Sequence, residues 1–245
     1  MDDQVNRWKI TNLLNAPSVV STLNVVFGSV SVLASLSGWP GLSSRMILLS
    51  FIADSIDGFV ARKKRKTSEF GKQLDSLADV ISFAVAPASL LLVGKMVPAL
   101  VAYPLAVGLV CCGALRLARF NAMCAEGYSP DEYYLGLPVP WVGTATSCLY
   151  FLTADLPSRV WMVVNPAVLT GASVLMVSTV RFPSFKRPHP LVLTVGGASM
   201  LALLFSPLIC PDWLRGELEI ASSGAILGIL SYYALSGVIG CVRRW

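Results

Sequence analysis

Apolar residues in this chain come in blocks close to twenty residues long, and no other feature narrows the possible folds as far. The blocks lie near 18–37, 43–61, 76–97, 99–118, 139–155, 161–180, 190–209 and 221–241. A helix of about twenty residues crosses the ~30 Å hydrocarbon core of a bilayer. Within that core the backbone must satisfy its own hydrogen bonds, which helices do within one segment. Several blocks meet at short Gly/Pro/polar joints, among them Gly38-Trp39-Pro40-Gly41, Met96-Val97-Pro98 and Leu156-Pro157-Ser158. Only 13% of the residues are charged and 55% are hydrophobic, against roughly a quarter charged in soluble domains. The expected fold is all-α, a polytopic transmembrane bundle of about eight helices.

The opening stretch, residues 1–16, does not read as a cleavable signal, because it starts with two aspartates and has no unbroken apolar core. Val5, Trp8, Ile10 and Leu13 suggest a short amphipathic helix at the membrane interface, anchored by Trp8. The six cysteines form no CxxC pair and most lie in apolar runs, so they read as small core residues rather than a disulfide or zinc framework. His189 is the sole histidine and lies between two prolines, which argues against a histidine metal site or a Ser-His triad.

Charge placement tests the helix count independently. With a cytoplasmic N-terminus and eight crossings, one side holds Arg7, Lys9, the run Arg62 to Lys66, Lys72, Arg116, Arg119, Arg181, Lys186, Arg187, Arg243 and Arg244. The other side holds only Arg45, Lys95, Arg159 and Arg215. This is the positive-inside bias expected of a membrane protein, and removing one helix would scramble it.

The stretch from Asp54 to Asp79 carries the chemistry. Asp54 and Asp57 are three apart, Asp75 and Asp79 four apart, and on helices each spacing puts the pair on one face. The basic turn between the segments makes them antiparallel, with the pairs facing. Four carboxylates converging near a membrane repel and resist desolvation, which divalent cations relieve. An all-oxygen donor set selects a hard ion such as Mg²⁺ or Mn²⁺. Asp57 is five residues from Arg62, about 7–8 Å along a helix, so the expected depth is the headgroup level, where lipid phosphates lie. Gly58, Ala61 and Gly71 leave room for close approach.

The pattern Asp54-x-x-Asp57-Gly58-x-x-Ala61-Arg62, eight residues, Gly71-x-x-x-Asp75-x-x-x-Asp79 resembles the signature of the CDP-alcohol phosphatidyltransferase family at every fixed position. The resemblance implies a membrane enzyme that moves a phosphatidyl group from a CDP-linked lipid to a small alcohol, releasing CMP. It implies metal ligation by Asp54, Asp57, Asp75 and Asp79, for two ions, with Asp79 also the catalytic general base. For the CDP-lipid it implies contacts from Ser18, Ser21, Gly58, Arg62, Ser68 and Gly71. Ser18 and Ser21 stand where the family has an Asn and a Thr, and Val60 stands near the place of a common arginine. A homodimer is implied too.

Further strings resemble the phosphatidylserine synthase branch of that family: Asp75 to Phe83 with Ala86-Pro87-Ala88, Leu115 to Asn121, Leu135 to Pro140, and Val177 to Lys186. They imply CDP-diacylglycerol and L-serine as substrates. Arg116, Arg119 and Asn121 are the acceptor candidates, since an arginine can hold the serine carboxylate. The expected division is an interfacial segment at 1–16, the transferase domain with six helices at 17–187, and two additional helices at 188–245. The active site is expected to face the cytoplasm, in an endoplasmic reticulum or prokaryotic inner membrane, with no nucleic-acid partner. Glycerol 3-phosphate, inositol, inositol phosphate and an ether-lipid donor stay open as alternatives. A divalent-cation transporter is the rival from another class, and would place its acids near the midplane on several helices.

Overall fold

The computed structural model describes residues 16–64, 69–128, 133–154, 160–183 and 190–242, so the N-terminal interfacial segment falls outside the described residues save Ala16. Among the described residues eight helices follow one another: α1 (Ala16–Leu36), α2 (Pro40–Lys64), α3 (Glu69–Val93), α4 (Ala99–Ala125), α5 (Val139–Ala154), α6 (Trp161–Val177), α7 (Pro190–Ile209) and α8 (Asp212–Val242). Two three-residue strands, β1 (Tyr133–Leu135) and β2 (Arg181–Pro183), pair antiparallel with Tyr134 opposite Phe182. The all-α membrane bundle expected from hydropathy is what forms, with this ribbon as an addition. Among the described residues α1, α3, α4 and α8 are long and apolar enough to cross a membrane, while α6 and the described part of α7 are shorter apolar helices.

The helices overrun the apolar blocks at polar ends. α4 continues past residue 118 to Ala125, and α3 starts at Glu69 rather than at 76. Hydropathy marks the lipid-immersed part, whereas the helix persists as long as its backbone bonds are best made internally.

Helix α1 is polar inside and apolar outside. Ser18, Ser21, Asn24, Ser31 and Ser35 are buried, while Val19, Leu23, Val26, Val30 and Leu33 are exposed. In water this helix would be inverted; in lipid the apolar stripe faces the solvent it matches, and small polar residues make the interhelical contacts. Ser31 and Ser35 meet Ser43 of α2 with oxygen separations of 2.8 Å. Gly28 brings α1 against α3: a Cβ there would lie 2.2 Å from Ser82 Oγ.

Contacts at the helix ends show that the chain alternates between two ends. Asn24, Asp54, Asp79, Arg119 and Tyr233 belong to one end. At the other, Arg45 of α2 pairs with Glu219 of α8, which also accepts a hydrogen bond from Ser206 of α7. Two apolar clusters fill the space between. The larger joins Phe83, Leu90, Leu109, Val142, Leu169 and Met176, and the smaller joins Leu48, Cys148, Phe151, Met200, Leu203 and Ile226. The cysteines depart from expectation: Cys148 is buried, but Cys111 is exposed and Cys112, Cys124 and Cys210 are partly so. An apolar run on a lipid-facing helix surface is not a core, so hydropathy alone misplaces them.

Candidate active site and metal centre

Three of the four aspartates converge. One carboxylate oxygen from each of Asp54, Asp75 and Asp79 lies within 4.8 Å of the other two. Asp54 comes from α2, and Asp75 and Asp79 from successive turns of α3, so the antiparallel arrangement expected of the two segments forms. Asp57 lies three residues on from Asp54 in α2. Its side chain and that of Arg62, with the surroundings of Gly58, are outside what the structure describes, and Ser68 lies outside the described residues altogether.

Asp79 is buried and Asp54 and Asp75 are partly so. Three carboxylates this close, one of them buried, repel unless a cation intervenes. Oxygens sharing one Mg²⁺ at about 2.1 Å lie no more than about 4.2 Å apart, so small side-chain movements would close this set on an ion. The donor set fits a hard divalent cation.

The surroundings of Asp79 are built by three helices. Asn24 Nδ2 of α1 donates to Asp79 Oδ1 at 3.4 Å. The Asn24 carbonyl in turn accepts from Ser82 Oγ at 2.9 Å, tying α1 to α3 one turn past Asp79. Ser18 and Ser21 precede Asn24 at helical spacing on the same buried face. Immediately after Asp79 and Val80 the helix widens into a π turn, Ile81–Val85, where the Ala86 N–H bonds Ile81 O. Pro87 has no N–H to give Phe83, so the usual ladder cannot continue there, and such π turns gather at functional sites. Gly71 lies one turn before Asp75.

Arg116 of α4 is 7% exposed, lies over the Phe120 ring at 5.3 Å, and is close enough to Asp79 to interact electrostatically. Among the described residues its Nε has no hydrogen-bond partner. Arg119 is differently employed: it donates to the carbonyls of Val177 (2.9 Å), Leu135 (3.0 Å) and Met176 (3.1 Å), binding α4 to β1 and α6. Asn121 Nδ2 donates to Ser76 Oγ at 2.9 Å, holding α4 against α3 beside Asp75. Gly136, at φ +76°, packs against this arginine, since a Cβ there would lie 2.6 Å from Arg119 Nη2 and 2.2 Å from Met176 O.

Two groups at this end were not singled out from sequence. Asn24 carried a signal, because it stands three residues after Ser21 on a polar stripe within an apolar helix. Tyr233 carried none. It reaches back from α8, donates to Pro183 O, stacks on Trp141 with ring centroids 4.1 Å apart, and interacts electrostatically with Arg116.

The fold and site define a membrane helix bundle with a partly buried carboxylate cluster suited to a hard divalent cation and an arginine beside it. Residues 14–178 match the family model described as CDP-alcohol phosphatidyltransferase, and the chain belongs to that family. It is 35% identical over 184 residues to an archaetidylserine synthase of Methanothermobacter thermautotrophicus, covering 73% of this chain and 74% of the relative. It is 32% identical over 226 residues to a CDP-diacylglycerol–serine O-phosphatidyltransferase of Methanocaldococcus jannaschii, covering 92% of this chain and 98% of the relative. A protein of the same name from Helicobacter pylori is 32% identical over 188 residues, covering 70% and 73%.

Proposed function

We propose that the protein is an integral membrane phosphatidylserine synthase. It transfers the phosphatidyl group of CDP-diacylglycerol to the hydroxyl of L-serine and releases CMP. The observation that carries the chemistry is the meeting of Asp54, Asp75 and Asp79 beside Asn24 and Arg116. The relatives support the acceptor, because those named for a diacylglycerol donor and the one named for an archaetidyl product share serine. They differ in the lipid, so an ether-linked donor is the second reading.

Asp54, Asp57, Asp75 and Asp79 would hold two divalent ions, Mg²⁺ or Mn²⁺. Such ions, when bound, offset the charge of a diphosphate and stabilise the departing CMP. Asp79 takes the proton of the serine hydroxyl on a carboxylate oxygen, for a hydroxyl is a weak nucleophile until a positioned base removes its proton in the transition state. Asn24 steadies the other end of that work by donating to Asp79 Oδ1, which fixes the carboxylate plane. Arg116 takes the serine carboxylate: it is buried beside Asp79 with donor capacity in hand, whereas Arg119 spends its guanidinium on three carbonyls. Asn121 serves the acceptor site by bracing α3 through Ser76. Ser18, Ser21, Gly58, Arg62, Ser68 and Gly71 form the CDP-lipid contacts.

The site faces the cytoplasm, a reading supported by the fifteen-to-four partition of basic residues. Residues 17–187 form the transferase unit and 188–245 add α7 and α8. The chain works as a homodimer, on the strength of the family resemblance, which cross-linking in native membranes would test.

The deciding experiment supplies membranes with CDP-diacylglycerol, labelled L-serine and Mg²⁺ or Mn²⁺. Serine-dependent CMP release and labelled phospholipid are expected, and Asp79→Asn should abolish both. Turnover with glycerol 3-phosphate and none with serine would overturn the acceptor assignment. Metal-dependent ion flux without CMP release would favour a transporter.

A further inference from the structure

The ribbon of β1 and β2 turns one face into the bundle. Side chains alternate across a strand, and in the observed register Tyr134 stands opposite Phe182, with Tyr133 opposite Pro183 and Leu135 opposite Arg181. Phe182 is fully buried while Arg181 and Pro183 are exposed, so Tyr134 and Phe182 share the inward face. Gly237 of α8 lets that face seat closely, since a Cβ there would lie 2.4 Å from Phe182 Cδ1. Phe182 also stacks on the Tyr233 ring, with centroids 6.0 Å apart. The outward face is used differently: the Arg181 guanidinium lies over the Tyr133 ring at 4.9 Å.

Hydrogen bonds hold the ribbon against the site end. Arg119 Nη2 donates to Leu135 O at 3.0 Å, the Gly136 N–H to Val180 O at 2.9 Å, and the Tyr233 hydroxyl to Pro183 O. What they bring to Arg116 is a phenol. Tyr134 is close enough to both Arg116 and Tyr233 to interact electrostatically. Tyr233 spends its hydroxyl on Pro183 O, and Tyr128 spends its own on Tyr133 O. That of Tyr134 makes no hydrogen bond among the described residues. Unlike Phe182, Tyr134 keeps part of its surface accessible. It is therefore an inward-turned phenol with a donor to give, standing where a small molecule held by Arg116 would reach it.

We propose that the Tyr134 hydroxyl donates a hydrogen bond to the carboxylate of the acceptor, so that the ribbon and Arg116 together select an amino-acid alcohol. The inference rests on the acceptor reading given above and adds a second donor from an element that reading leaves without a role. A carboxylate offers two acceptor oxygens, and a guanidinium with a phenol supplies a donor to each. An uncharged polyol leaves both donors without the group they are placed for, which is how a polar site rejects an analogue. A phosphorylated acceptor brings about two charges, more than one guanidinium offsets, since Arg119 is committed to carbonyls.

The test is steady-state kinetics of the full chain in lipid nanodiscs containing CDP-diacylglycerol. Tyr134→Phe removes one oxygen and keeps the ring. The KM for L-serine should rise about tenfold or more, the worth of a hydrogen bond to a charged group, with kcat and the KM for CDP-diacylglycerol little changed. The unchanged KM for the lipid also shows that the variant is folded. Tyr133→Phe removes a hydroxyl from the outward face and should leave both KM values as in the parent. In an Arg116→Gln background Tyr134→Phe should cost less than in the parent, because residues that share one ligand group do not act additively. An unaltered KM for serine, a loss confined to kcat, equal rises for serine and lipid, or the full effect retained without Arg116 would each overturn the assignment of Tyr134 alone. Absence of serine-dependent CMP release in the parent protein would remove the acceptor reading and the proposal with it.

Discussion

Gly28→Ala is the smallest change that should disturb both the bundle and its chemistry. The added methyl carbon would sit 2.2 Å from Ser82 Oγ and 2.8 Å from Ser82 Cα. Non-bonded carbon contacts are comfortable at about 3.5–4.0 Å, so α1 and α3 must part by roughly an ångström or Ser82 must turn away. Turning Ser82 forfeits its hydrogen bond to the Asn24 carbonyl, and Asn24 is the residue that donates to Asp79. Overpacking of this kind costs about 1–3 kcal/mol, and a lost buried hydrogen bond about 1 kcal/mol more. A destabilisation of about 2–4 kcal/mol is expected, read by reversible unfolding in mixed micelles. CMP release should fall by more than the folded fraction does, because Asp79 loses its alignment. Ser82→Gly added to Gly28→Ala removes the oxygen and Cβ clashes but leaves Cα in the way, so rescue should be partial. A Gly28→Ala protein within about 0.5 kcal/mol of the parent, the usual range of an inconsequential surface change, would refute the claim that this contact sets the α1–α3 distance.

Three further outcomes follow from other contacts. Arg116→Gln should raise the KM for serine by about 10–100-fold, the worth of one charge-assisted hydrogen bond, with the KM for the CDP-lipid little changed; equal rises in both would show a general structural role. Glu219→Ala leaves Arg45 partly buried without its carboxylate, so thermal stability should drop by about 3 kcal/mol or more, while the KM for serine, measured at the far end of the bundle, should not move. Tyr233→Phe keeps the stack on Trp141 but loses the bond to Pro183 O. A loss of about 1 kcal/mol in stability and a several-fold rise in the KM for serine are expected from steady-state assays, with Tyr233→Leu markedly worse.

Much of the site was legible because its residues are close in sequence. Asp54, Asp75 and Asp79 lie on two consecutive helices, and helical periodicity alone puts each pair on one face. The antiparallel pairing needed only a short basic turn. Arg116 was legible in part: its place near the site end came from the charge partition, but the same argument placed Arg119 and Asn121 beside it. Their employments differ because α6 and β1 bring carbonyls to Arg119, and α3 brings Ser76 to Asn121, and no local pattern encodes those approaches.

The sequence by itself determined the solvent of this protein, its all-α architecture and which carboxylates meet at its candidate centre. Those depend on local quantities: apolar run length against bilayer thickness, and carboxylate spacing against helical pitch. Tertiary structure alone decided which side chains are occupied elsewhere, how Asn24 reaches an aspartate 55 positions away, and that α8 returns Tyr233 to the site end. These outcomes depend on how helix faces distant in the chain meet, which is settled by packing of the whole bundle and not by any single segment.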